Sequence, residues 1–191
     1  QMVGDTPLAR ALRKLLFATA HVQVIYDTAG GKPTASELAA IQGHLLLVVR
    51  KPEPKPEAER WLMPGTYHDI GARVDVAALA GGLQRLVAAV QDALPDLRDA
   101  ARTAPTAPIE WNTPLGKVGV LGTGKNTHSG EYLLLIDLGG DDHYEDVGRP
   151  LGKNGVSLVI DLSGNDVMRW HDRPGPGAGV LGIDLWADMQ G

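Results

Sequence analysis

The apolar positions change their spacing once along this chain. Before residue 108 they recur mostly at helical intervals; after it they come in short runs broken by Gly, Asp and Asn. Leu8, Ala11, Leu12, Leu15 and Leu16 trace one helix face behind Asp5-Thr6-Pro7, a cap followed by proline in the first turn. Val22, Val24 and Tyr26 alternate, which predicts a change to strand before the Gly30-Gly31 break. Thr34-Ala35-Ser36-Glu37 has the form of a capping box and predicts a second helix, with Leu38, Ile41, Leu45, Val48 and Val49 on its apolar face. Residues 45–49 read equally as a buried strand. The alternating prolines within 51–57 exclude helix interior and predict an extended, solvated linker. A third helix is predicted from near Asp75, with Leu79, Leu83, Leu86, Val87, Val90 and Leu94 on one face. Gly81-Gly82 weakens it, and Pro95 is expected to bend or end it. The Ala/Pro/Thr stretch over 103–108 marks the boundary between a helical or α/β domain over 1–108 and a Gly/Asp-rich domain over 109–191.

The second domain carries repeats. Ile136-Asp137-Leu138-Gly139-Gly140-Asp141-Asp142 returns 24 residues later as Ile160-Asp161-Leu162-Ser163-Gly164-Asn165-Asp166. A third, degenerate copy starts 23 residues further on at Ile183-Asp184-Leu185. Pro114-Leu115-Gly116-Lys117-Val118-Gly119-Val120 resembles Pro150-Leu151-Gly152-Lys153-Asn154-Gly155-Val156 at six of seven positions. The unbroken apolar run Leu133-Leu134-Leu135-Ile136 is that of a strand covered on both faces. A repeat of this size predicts a β-solenoid. The expected fold class is therefore α+β: a mainly helical N-terminal domain that caps the first coils of a β-solenoid. The last unit stops short at Gly191, which predicts that a second polypeptide, from the same cleaved precursor, continues the array.

Composition sharpens this division. Residues 1–108 hold 11 Asp and Glu against 12 Lys and Arg, whereas residues 109–191 hold 12 against 6 and also 16 of the 24 glycines. An acidic, Gly-rich segment suits cations and excludes a nucleic-acid surface. No apolar run is long enough to predict a membrane span. The absence of Cys excludes disulfides and thiolate chemistry.

In both clear copies an Asp opens the turn, a Gly follows three residues later and a second Asp two after that. These residues are Asp137, Gly140 and Asp142, then Asp161, Gly164 and Asp166. Asp184 and Asp188 belong to the third copy. Gly admits positive φ and Asp caps its own backbone, so each turn taken alone is an ordinary β-turn. Stacked about 4.8 Å apart, however, such turns bring carboxylates together, and a cation or strong solvation must offset their repulsion.

The turns at 138–144 and 162–168 resemble the calcium-binding Gly/Asp repeats of RTX proteins, although the period is longer than nine residues. The resemblance implies Ca2+ held by Asp137, Gly140, Asp142, Asp161, Gly164, Asp166, Asp184 and Asp188. It also implies a secreted, periplasmic or cell-surface protein with a structural, adhesive or binding role.

Weaker signals define the alternative. His128, His143 and His171 lie in predicted turns and would converge on a transition metal, with Glu145 or Asp172, if three turns stacked. Tyr144, Trp170 and Trp186 either plug the core or, lined up on a surface, stack on a polysaccharide. Gly119-Val120-Leu121-Gly122-Thr123-Gly124-Lys125 has the wrong spacing for a phosphate loop and reads as a Gly-rich turn. Ser129 beside His128 lacks a third catalytic member. The alternative function is thus a hydrolase or lyase subunit using Asp142, Glu145, Asp166 and Asp172 on the solenoid surface, completed by the partner chain.

Overall fold

The structure, a computed structural model, describes residues 4–30, 33–37, 39, 65–103, 107–148, 155–171, 177 and 182–190. Helix α1 spans Pro7–Thr28, α2 spans Gly65–Arg73 and α3 spans Val76–Ala101. The predicted caps hold. The Ala9 amide donates to Thr6 Oγ1 at 3.2 Å, and the Ala78 amide to the Asp75 carboxylate at 2.9 Å. Thr34 and Glu37 form the reciprocal capping box, with Thr34 N–H on Glu37 Oε2 at 2.7 Å and Glu37 N–H on Thr34 Oγ1 at 3.3 Å. The apolar face predicted for that helix and the 51–57 linker lie outside the described residues.

Two helix expectations are corrected. The predicted strand at Val22, Val24 and Tyr26 is the last part of α1. Val22 and Tyr26, four apart, are both buried while Val24 faces solvent, so the helical period prevails over the alternation. In α3 the chain runs on past Pro95 to Ala101. Its buried stripe is Leu86, Val90, Ala93 and Leu97, while Leu83 and Val87 are each 39% exposed. Leu86 and Val90 of the predicted face belong to that stripe, and Leu79 and Leu94 pack against the same core.

Among the described residues eight strands follow: β1 (Ile109–Thr113), β2 (Gly116–Leu121), β3 (Thr127–Ser129), β4 (Leu134–Asp137), β5 (His143–Glu145), β6 (Val156–Asp161), β7 (Val167–Arg169) and β8 (Ile183–Asp188). They form a five-stranded sheet ordered β1-β2-β4-β6-β8 and a three-stranded sheet ordered β3-β5-β7. Among the described residues only the β1–β2 hairpin is antiparallel. The chain thus alternates between the two sheets, from β2 to β3, β4 to β5 and β6 to β7. The architecture is α+β, with a mixed sheet and a parallel one.

The five-stranded sheet is covered on both faces, which explains its unbroken apolar strands. Val118, Val120, Leu134, Ile136, Leu158 and Ile160 face α1 and α3 in one core cluster. Leu121, Leu135 and Val159 face the other way and pack with Tyr132, Tyr144 and Val147. The helices lie along a sheet face, and the edge of β2 is paired by β1. Tyr26 of α1 sits so close to the start of β6 that a Cβ on Gly155 would lie 1.9 Å from its ring.

The register defines which repeats are spatial. Ile136 pairs with Ile160 and Asp137 with Asp161, so the 24-residue repeat is one step between adjacent parallel strands. The third copy falls differently: Asp161 pairs with Asp188, and Asp184 pairs with Ser157. The backbone agrees, since Leu162 N–H donates to Asp137 O and Met189 N–H to Asp161 O. The unit in register with Ile-Asp-Leu is therefore Ala187-Asp188-Met189, shifted four residues from the sequence match. Of the 150–156 copy only Gly155 and Val156 are described, and Val156 does not share a column with Val120, which stands with Ile136 and Ile160.

Candidate metal centre

Period-two alternation in two facing sheets brings the acidic residues together. In β4 and β6 the side chains at 135 and 137, and at 159 and 161, share one face, so Asp137 and Asp161 follow Leu135 and Val159 into the space between the sheets. In β3 and β5 the middle residue of each three-residue strand is buried. These are His128 and Tyr144, opposite each other in register, with ring centroids 5.9 Å apart. Trp186 from β8 meets Tyr144 edge-on at 5.2 Å. Tyr144 and Trp186 are thus core plugs.

The glycine turns set the depth of the acidic cluster. Gly140 and Gly164 both take positive φ, at 139° and 159°. A Cβ on Gly140 would lie 2.7 Å from Gly124 O, and one on Gly164 only 1.7 Å from Gly140 O. The turns at 124, 140 and 164 therefore stack backbone on backbone, which only glycine permits.

The carboxylates have two kinds of partner. Asp137 Oδ1 accepts from Gly139 N–H at 3.0 Å, and Asp161 Oδ1 from Ser163 N–H at 3.1 Å; these are local Asp turns. Asp166 and Asp142 instead reach the preceding turn, accepting from Asp142 N–H at 2.7 Å and from Asn126 N–H. The Tyr144 hydroxyl lies 2.7 Å from Asp137 Oδ2 and 3.0 Å from Asp161 Oδ2. It has one proton to donate and two carboxylates to serve.

The charge balance is the main electrostatic fact. Asp137 and Asp142 are 0% exposed and Asp161 is 1% exposed. Burial, opposed by the Tyr144 and Gly139 hydrogen bonds, pushes the Asp137 carboxyl up to about 7. Burial, helped by Asp166 and Asp137, pushes Asp161 up to about 8. Asp142 is raised by burial and by Asp166, against the Asn126 amide. His128 is lowered by burial, which keeps its imidazole neutral.

One corner of this cluster is unsatisfied. Asp142 Oδ2 and His128 Nε2 are buried without a hydrogen-bond partner. Each of His128, Asp137 and Asp142 offers one ligand atom within 4.8 Å of the others. Three carboxyl groups among few donors can be neutralised by protons, by a cation or by both.

Of the residues expected to hold an ion, Asp137, Asp142, Asp161 and Asp166 come together, with Gly140 and Gly164 shaping their turns. Asp188 stands in the same column as Asp161 but is exposed. Asp184 lies apart, accepting from Gly177 N–H at 2.7 Å and pushed up to about 6 by burial, against that amide and Ser157. The three histidines do not converge. His143 pairs with Thr127, one position off the buried column, and His171 is exposed beside Asp146 at 3.6 Å. Asp172 lies outside the described residues. Tyr144 is the partner that the sequence reading did not assign, and its signal was its place in the middle of His143-Tyr144-Glu145, in step with His128.

No protein-family model, curated protein or solved structure matches this chain. No described helix is long and apolar enough to cross a membrane.

Proposed function

We propose that residues 109–190 are stacked coils of a β-solenoid stabilised by an internal divalent cation, and that the protein serves as a structural or binding module. The observation that carries this reading is the buried Asp142 Oδ2 left without a partner beside Asp137, in a cluster whose donors are outnumbered by its carboxylate oxygens. The parallel registers, with Asp137 against Asp161 and His128 against Tyr144, support the stacking of coils. Calcium is the ion that the Gly/Asp turns imply. Burial of the acidic cluster favours a structural ion over a surface hydrolase site, because a substrate has no route to carboxylates that solvent does not reach. Strand β8 ends the described sheet, and a further coil from this or another chain would pair there.

Thermal melting with and without a chelator tests this. An ion present at about a hundred times its dissociation constant adds about 2.7 kcal/mol. For a domain of this size that raises Tm by roughly 5–10 °C. We expect such a rise when calcium, zinc or manganese is restored to chelated protein. An unchanged Tm with every ion, and no metal in the purified protein, overturns the proposal and leaves protons as the neutralising charge.

A further inference from the structure

We propose that the site formed by His128, Asp137 and Asp142 takes a borderline transition-metal ion of the zinc class rather than calcium. This rests on the cation-stabilised reading above and replaces the calcium that the turns imply with an ion that the donor set fits better.

The donor set carries the argument. Calcium takes six to eight oxygen ligands and has little use for a nitrogen donor. Imidazole suits zinc and its first-row neighbours, and zinc is satisfied by about four ligands in a closed structural site. Here an imidazole nitrogen of His128 lies within 4.8 Å of a carboxylate oxygen of each Asp, and its Nε2 is buried with no hydrogen-bond partner. Its placement follows from the fold: His128 is the inward residue of β3, fixed by its register against Tyr144.

The surroundings also hold the ligands as a metal site requires. Asn126 N–H fixes Asp142 through Oδ1, which leaves Oδ2 free. Asp137 is oriented by Gly139 N–H on one oxygen and by the Tyr144 hydroxyl on the other. Such outer hydrogen bonds orient ligands and raise their basicity. The glycine turn brings Asp142 Oδ2 close, since a Cβ on Gly140 would sit 2.8 Å from it. Two carboxylates and a neutral imidazole cancel the charge of one divalent ion.

The test uses the full chain, freed of metal by chelation and titrated separately with Zn2+, Mn2+ and Ca2+, alongside His128→Gln and Asp142→Asn. Calorimetry and Tm read the binding, and Co2+ absorption in the unaltered protein reads the ligand field without any substitution. We expect about one Zn2+ per chain with a raised Tm, weaker binding of Mn2+ and Ca2+, and visible Co2+ bands typical of mixed nitrogen and oxygen ligands. His128→Gln should weaken binding beyond the about 10–100-fold that losing an outer hydrogen bond costs. Stabilisation by Ca2+ that His128→Gln leaves intact overturns this inference and keeps the cation-stabilised reading. Equal Zn2+ affinity in His128→Gln and in the unaltered protein overturns it too, and assigns the ion to surface histidines. No effect of any ion, with Asp142→Asn more stable than the parent, overturns both. Should both variants fail to fold, Co2+ bands without nitrogen ligation overturn the inference by themselves.

Discussion

Gly164→Ala is expected to cost about 4 kcal/mol or more, in the exceptional tail of single substitutions. The added methyl would occupy a point 1.7 Å from the carbonyl oxygen of Gly140, at a φ of 159° that side chains rarely adopt. No flexible side chain can yield there, because the obstacle is backbone. That backbone is itself pinned: Gly140 N–H donates to Ser163 O and Gly164 N–H to Gln190 O, both at 3.0 Å. The turns must separate, and with them Asp142 and Asp166 lose the inter-turn amides they hold. Gly81→Ala serves as the comparison, since its Cβ would meet nothing within 4 Å. In mid-helix that change should stabilise by up to about 1 kcal/mol. Chemical denaturation of both variants checks the pair. A Gly164→Ala protein within about 1 kcal/mol of the parent would mean that the turns do not stack as described.

The second large effect is the pH dependence of the chelated protein. Asp137, Asp161 and Asp184 are raised to about 7, 8 and 6 from an ordinary 3.8, in each case chiefly by burial. The folded chain therefore holds protons that the unfolded chain releases. The associated stability is fully present below about pH 4 and is lost as pH rises through 6 to 8. The denaturation midpoint of chelated protein should fall clearly between about pH 5.5 and pH 8, at about 1.4 kcal/mol for each pKa unit expressed. With zinc bound the trend should reverse, because the ion displaces those protons and binds better as pH rises.

Tyr144→Phe isolates the same cluster. It removes the hydroxyl that Asp137 and Asp161 share, at 2.7 and 3.0 Å. The loss should reach about 3 kcal/mol near pH 8, where Asp137 is mostly charged and Asp161 about half so, and about 1 kcal/mol near pH 5.5. Equal stability at the two pH values in chelated protein, with Tyr144→Phe neutral at both, would show that these carboxyls are not sealed in an apolar site.

Much of this architecture is written locally. The caps at Thr6, Asp75 and the Thr34–Glu37 box depend on residues three apart, so the sequence alone determines them. The change of texture near residue 108 and the two-sided burial of residues 133–136 follow from composition and from the lack of alternation. The 24-residue repeat fixed the pairing of Asp137 with Asp161, because identical apolar and acidic residues place identical faces against each other.

What the tertiary structure decided is what distance along the chain conceals. Strand β8 pairs four residues away from its best sequence match, which moves Asp184 out of the acidic column and puts Asp188 into it. Its register is set by the sheet it joins and by the apolar residues it must bury, and an Ile-Asp-Leu match carries no such information. Pro95 remained inside α3 because burial of Leu97 and Ala100 beyond it outweighs one lost hydrogen bond. The site itself is the clearest case. The sequence marks His128 and Asp142 as candidates for two different metal sites, and neither marks the other as a neighbour. Only the facing of two sheets, each with its own two-residue period, turns both side chains into one dry interior, where unpaired polar atoms are costly enough to require a proton or an ion.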